Sequence, residues 1–161
     1  MNQSDEKRIS EIYGARLKEG LPDYKVVGWG SRESQYLRFE VLSEINKLTG
    51  MNVLDVGCGT GRWSKFLSEK VNAIEAIDPS EAVVSAATLL QNDDNVRISQ
   101  ASAGDIPFPD NTFDLVYSAH TLEHFSRNQV EGVLREWVRV TKVDGIVRLA
   151  VPDFEQAIKV Y

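Results

Sequence analysis

At 161 residues the chain amounts to one domain, long enough to bury a core, and its 42% hydrophobic, 26% charged and 9% aromatic residues exclude a disordered or fibrous protein. The 18 Lys and Arg against 24 Asp and Glu give a formal net charge of −6, so no general attraction to phosphate backbones operates and nucleic acid is not an expected partner. The single cysteine, Cys58, forms no internal disulfide; no apolar run approaches the ~20 residues of a membrane span; and the polar stretch Met1 to Arg8 is unlike a signal peptide, so a cytoplasmic location without a membrane partner is expected.

Residues 1–30 read as an N-terminal helix, through Ile9, Ile12, Tyr13 and Leu17, followed by a lid-like segment punctuated by Gly20, Pro22, Gly28 and Gly30. Residues 31–161 read as the core. From Ser31 a helix is predicted with Leu37, Val41, Leu42, Ile45 and Leu48 on its packed face and Gly50 as its stop. Strand, turn and helix then alternate. Val53–Val56 is the first strand, with a glycine turn and a helix from Arg62; Ala73–Ile77 is the second, with Ser80 as helix cap; Val96–Ala101 is the third and Phe113–Ser118 the fourth. A Ser126–Gln129 capping box opens a helix whose apolar face is Val130, Val133, Leu134, Trp137 and Val138, which Asp144-Gly145 ends before a fifth strand, Ile146–Val151. This alternation, with nearly continuous apolar strands, predicts a Rossmann-like α/β/α sandwich around a mostly parallel sheet.

The chemistry concentrates after the first strand. Glycines at 57, 59 and 61 let the backbone turn sharply and approach a ligand, at the carboxyl end of a parallel sheet where ligands of such folds bind. Asp78 ends the second strand, where a carboxylate accepts both hydroxyl hydrogens of a ribose; its bland alternative is a helix cap. The dinucleotide fingerprint G-x-G-x-x-G fails here, because Arg62 occupies its sixth position. Cys58 reads as a packed small residue rather than a nucleophile.

Taken together, Val53 to Arg62, Ala76-Ile77-Asp78-Pro79-Ser80, Ile106 to Val116 and Ser118 to His124 resemble class I S-adenosylmethionine-dependent methyltransferases, a likeness that runs from about Val53 to Pro152. The resemblance implies S-adenosylmethionine as cofactor, S-adenosylhomocysteine as product, and a small-molecule acceptor with an O, N or C nucleophile. It implies that Gly57, Cys58 and Gly59 approach the methionine part by backbone and that Asp55 holds its amino group, against the alternative that Asp55 caps the turn. It further implies that Asp78 binds the ribose, Pro79 packs on adenine, and Ser118 and Ala119 line the path to the sulfonium. Where many relatives carry Gly-Asp-Ala, this chain has Ala101-Ser102-Ala103, so the Ser102 hydroxyl and the Ala103 N–H are expected at the adenine, with a weaker contact than a carboxylate's.

His120 and His124 would share one face of a helix, but without a third ligand of the usual kind no metal site is expected. His120 has two readings: packing, or orienting and deprotonating a nucleophile at the methyl-transfer site. The resemblance implies a seven-stranded sheet, of which the last two strands have no counterpart in this chain. The fifth strand is then an exposed edge, to be covered by a second copy or a partner protein, although Arg148 in its middle would discourage pairing. The alternative function is therefore a non-catalytic cofactor-binding module, or a fragment needing a partner or an extension for activity.

Overall fold

A computed structural model describes Glu19 and residues 31–44 and 47–152, so the predicted helix and lid of residues 1–30 lie outside the described residues, as do Ile45 and the segment after Pro152. The elements are α1 (Arg32–Ser43), β1 (Asn52–Val56), α2 (Arg62–Ser68), β2 (Ala73–Asp78), α3 (Ala82–Leu89), β3 (Val96–Gln100), β4 (Phe113–Ala119), a 3-10 turn (Leu122–His124), α4 (Arg127–Val140) and β5 (Thr141–Ala150). The five strands form one parallel sheet in the order β3-β2-β1-β4-β5. Parallel neighbours need crossovers, and the intervening helices supply them while burying both sheet faces. Strand order reverses between β1 and β4, which leaves a crevice beyond their carboxyl ends.

One face packs α1 and α2 through Phe39, Trp63 and Leu67 onto Val53, Ile74, Leu115 and Tyr117. The other packs α4 through Val133, Trp137 and Val140 onto Leu54, Val56, Ile77 and Val116. The predicted Ser126–Gln129 capping box is present and Trp137 is fully buried. Trp137 also reaches past the core: its indole N–H donates to the Ala103 carbonyl at 2.8 Å, tethering the loop after β3. Arg139 grips the next stretch, donating to the Ile106 and Phe108 carbonyls and pairing with Asp110 and Glu136, while Glu136 accepts the Ile106 N–H.

Four expectations are corrected. Helix α1 ends at Ser43 and buries Gln35 and Phe39, whereas Leu37 and Val41 stand 61% and 54% exposed. Its inward line runs 35-39-42, and the ring of Phe39, against Trp63 and Phe66, fixes that orientation. Helix α4 stops at Val140, because Thr141 is already extended and pairs with Phe113; Asp144 (φ 63) and Gly145 instead form a bulge before Ile146 pairs with Leu115. Val138 is correspondingly 62% exposed rather than packed. Glu81, not Ser80, is the cap position of α3, although the Ser80 hydroxyl does accept the Ala82 N–H. Arg148, finally, turns over the sheet face and donates to the Leu42 carbonyl of α1, so it does not guard the edge of β5. Among the described residues β5 pairs with β4 alone.

Replacing Trp137 by Phe keeps most of the buried ring but strips the Ala103 carbonyl of its donor. The expected loss, read from urea denaturation, is about 1–3 kcal/mol, the cost of a buried group left unpaired.

Candidate functional site

The crevice holds a cavity of about 110 Å³, within about 1030 Å³ of empty space that includes open solvent. Its floor is the glycine turn. Gly57 and Cys58 both donate their N–H to the Ile77 carbonyl, at 2.8 and 3.0 Å, and Gly59 donates to Asp78 Oδ2 at 2.9 Å. These three donors are spent inside the protein, so the turn offers a ligand close approach rather than a cradle of free N–H groups. Gly57 has φ 77, and a Cβ there would sit 2.0 Å from Thr121 Oγ1, so only glycine lets the chain leaving β4 cross the turn. Gly61, at φ 78, meets Ala86 of α3 and Leu90 just past its end in the same way.

Two carboxylates line the cavity. Asp78 Oδ2 takes the Gly59 N–H, while its Oδ1 takes both the N–H and the hydroxyl of Ser80. Asp55, at the end of β1, accepts the Ser64 hydroxyl at 2.5 Å. Burial pushes the Asp55 carboxyl up to about 7; the Ser64 hydrogen bond opposes the shift and the charge of Asp78 adds to it. The same burial, with Asp55 and Asp78 nearby, drives the Cys58 thiol well above its usual range, which makes it a poor thiolate nucleophile.

Of the residues singled out in the sequence, Asp55, Gly57, Cys58, Gly59, Asp78, Pro79, Ala103, Ala119 and His120 line the cavity. Ser118 and Ser102 are not among its lining residues. The Ser118 hydroxyl donates to the Val56 carbonyl at 2.9 Å, inside the sheet, and Ser102 closes a short turn by accepting the Gly104 N–H at 3.1 Å. His120 and His124 both line the cavity, but not as neighbours on a regular helix: His120 has φ 56 and precedes the 3-10 turn that carries His124. His120 Nδ1 lies 3.1 Å from Glu123 Oε1.

Sequence reasoning missed the aromatic wall. Trp63 stacks on Tyr117 with centroids 4.4 Å apart, Phe39 leans on Trp63 at 5.0 Å, and all three line the cavity with Phe125. Each looks like an ordinary core aromatic in its own segment. The available signal was Trp63 itself, on the first turn of the helix that follows the glycines.

Comparison with known proteins bears on the family and the fold. Residues 54–149 match the family described as a methyltransferase domain. The uncharacterized methyltransferase YcgJ of Bacillus subtilis is 34% identical over 96 residues, covering 58% of this chain and 37% of YcgJ. The YcgJ crystal structure matches with a TM-score of 0.62 and 31% identity over 74% of this chain and 50% of that one. The demethylmenaquinone methyltransferase of Lactococcus lactis is 27% identical over 175 aligned residues, covering 100% of this chain and 67% of the relative. Phosphoethanolamine N-methyltransferase 1 of Haemonchus contortus, solved with phosphoethanolamine and S-adenosylhomocysteine, shares the fold at a TM-score of 0.78 and 19% identity, over 92% of this chain and 32% of that one. The chain thus spans roughly a third to two thirds of the length of these relatives.

Because native Asp55 keeps its proton up to about pH 7 while the unfolded residue loses it near 3.8, the native state binds more protons between those values. Stability should therefore fall as pH rises across that window, then stay level in this contribution above it. Comparing wild type with Asp55→Asn by urea denaturation at pH 5 and pH 8 isolates the effect. Wild type should lose on the order of a few kcal/mol relative to the variant on going to pH 8.

Proposed function

The chain belongs to the methyltransferase domain family, of the class I S-adenosylmethionine-dependent type, and from that premise we propose that it transfers a methyl group from S-adenosylmethionine to an O, N or C nucleophile of a small molecule. The observation that carries this reading is the pair of carboxylates, Asp55 and Asp78, on one cavity at the carboxyl ends of β1 and β2. The cofactor bears an ammonium, a sulfonium and a ribose diol, and a site with two acidic acceptors and a close-approach glycine turn suits those groups. When bound, it supplies a methyl group already activated for displacement.

This chain's own residues then have to bind, orient and exclude water. Asp55 receives the ammonium and Asp78 a ribose hydroxyl, on the Oδ2 lone pair that the Gly59 N–H leaves open. Pro79 and Ala103 flank the adenine, with Ser102 beyond them. Ala119 forms the wall toward the transferred group, Ser118 contributing by holding the Val56 carbonyl in the sheet. Trp63, Tyr117, Phe39 and Phe125 give the acceptor an apolar wall, and His120 is placed to orient or deprotonate it. The names of the Lactococcus and Haemonchus relatives point to acceptors as different as a quinone and a phosphorylated amine, which supports a small molecule without selecting one. No helix among the described residues is long and apolar enough to cross a membrane.

A second reading rests on the outer edge of β5, which has no strand beside it among the described residues. In that reading the chain binds the cofactor but turns over only once a second copy, a partner or an extension covers that edge.

Calorimetric titration with S-adenosylmethionine tests both. Saturable binding is expected, tightening as pH rises through about 7, because a cationic ligand favours the ionised form of Asp55. Asp55→Asn should weaken it by about 1.5–3 kcal/mol at pH 8, the range for a hydrogen bond to a charged group, and should flatten the pH dependence. Absence of binding by a folded chain overturns the reading; binding without turnover over a broad acceptor panel selects the module.

A further inference from the structure

Resting on the reading of the cavity as an S-adenosylmethionine site, we propose that the Trp63 indole N–H and the Tyr117 hydroxyl receive the cofactor's carboxylate, so that its amino-acid end is held between two neutral donors and Asp55.

Both donors lack an acceptor. Trp63 Nε1 and Tyr117 Oη are buried with no hydrogen-bond partner among the described residues, and the two residues are only 6% and 2% exposed. A buried polar group left unpaired destabilises a fold, so two of them side by side call for a reason beyond packing. Packing alone is met by phenylalanine: Phe39 and Phe66 complete the same cluster of rings and bring no polar atom to it. Trp63 and Tyr117 line the cavity, and Phe66 is not among its lining residues. The Trp63 and Tyr117 rings stack with centroids 4.4 Å apart and 28° between their planes, which fixes one donor relative to the other. An indole N–H only donates and a phenol donates one hydrogen bond, so the pair calls for an oxygen with lone pairs to spare.

The position of Asp55 selects that oxygen. Register sets Asp55 beside Tyr117 on the adjacent strand, and the carboxylate and the phenol feel each other's charge. Asp55 is the residue that takes the ammonium, and in S-adenosylmethionine the ammonium and the carboxylate share one carbon. A ligand whose ammonium lies on Asp55 therefore brings its carboxylate to the side chains around Asp55, where the charges of Asp55 and Asp78 repel it unless donors offset them. The glycine turn supplies no such donor from Gly57, Cys58 or Gly59, whose N–H groups go to the Ile77 carbonyl and to Asp78. Arg62, His120 and His124 also line the cavity, but each carries another interaction. Trp63 and Tyr117 are the lining side chains whose buried donors have no acceptor among the described residues.

The same arrangement fixes which way round the ligand sits. Trp63 has no lone pair to offer an ammonium. Burial, with the charge of Asp55 beside it, holds the Tyr117 phenol above its usual range against the opposing charge of Arg148, so it stays a protonated donor. A reversed amino-acid end would set a carboxylate against Asp55 and an ammonium against two donors. The sulfonium follows along the same short chain, so this orientation also sets the direction of the transferred methyl group. Only the polar tips are assigned this way; the carbon frames of both rings remain wall.

Calorimetric titration of the full chain with three ligands tests this: S-adenosylhomocysteine, its decarboxylated analogue, which keeps the ammonium, and methylthioadenosine, which lacks the whole amino-acid end. Tyr117→Phe keeps the ring and removes the O–H. It should weaken S-adenosylhomocysteine binding about tenfold or more, the range for a hydrogen bond to a charged group, and leave the affinities of the other two ligands unchanged. Trp63→Phe should show the same selectivity. The urea midpoint of Tyr117→Phe should equal or exceed that of wild type, because the change removes a buried hydroxyl without a partner; a lower midpoint means the hydroxyl is already paired and overturns the proposal. A loss spread equally over the three ligands marks a packing role and overturns it, as does no loss at all. Wild type that binds S-adenosylhomocysteine no more tightly than the decarboxylated analogue overturns it while leaving the cofactor reading intact, whereas wild type that binds none of the three sinks both.

Discussion

The carboxylate of Asp78 joins the two halves of the cavity floor. By accepting the Gly59 N–H on one oxygen and both Ser80 donors on the other, it locks the turn after β1 to the turn after β2. The Ile77 carbonyl, one residue earlier, reinforces the link by taking the Gly57 and Cys58 N–H groups. The glycine turn is therefore hung from the end of the neighbouring strand, not left as a flexible loop. Its position then dictates others: Gly57 lets Thr121 cross, and Gly61 lets α3 pack against the start of α2. Hydrogen bonds to a charged acceptor contribute about 1.5–3 kcal/mol each, enough for one side chain to hold this junction against the conformational freedom of its glycines.

A second constraint runs across the sheet. Register pairs Asp55 with Tyr117 and Tyr117 with Arg148, so an acid, a phenol and a guanidinium lie side by side on the face under α1. Burial raises both the Asp55 carboxyl and the Tyr117 phenol, the latter helped by the charge of Asp55 and opposed by that of Arg148. Burial also lowers Arg148, whose guanidinium finds the Leu42 carbonyl of α1. A face carrying this polarity is poor ground for an all-apolar helix stripe, which gives a physical reason for α1 to bury Gln35 beside Asp55 and Tyr117 and turn Leu37 outward.

The first four strands, the glycine turn and Asp78 were legible in the sequence because each obeys a local rule: apolar runs for parallel strands, glycine where φ is positive, an acid at a strand end; Asp55 entered only through the family resemblance. Helix faces were less legible, since counting apolar residues favoured Leu37 and Val41 over a line containing Gln35. The end of α4 was misjudged for a related reason: Asp144-Gly145 is equally suited to a helix stop and to a bulge, and only the pairing of Thr141 with Phe113 separates them. Phe39, Trp63 and Tyr117 come together only once α1, α2 and β4 share a face, and no periodicity within any one of those segments announces that meeting.

The same division separates the two ends of the cavity. The floor is made by backbone and carboxylates from β1, β2 and their turns, while the opposite wall is made by side chains on α1, α2 and the exit of β4. That wall depends on β5, because Ala119 pairs with Ala150 and the Ala150 carbonyl also fixes the His120 N–H. A strand with a neighbour on one side only is held by half the ladder of an interior strand. Whatever lies along the outer edge of β5 therefore acts one strand away from His120, through the Ala150 carbonyl that holds its N–H.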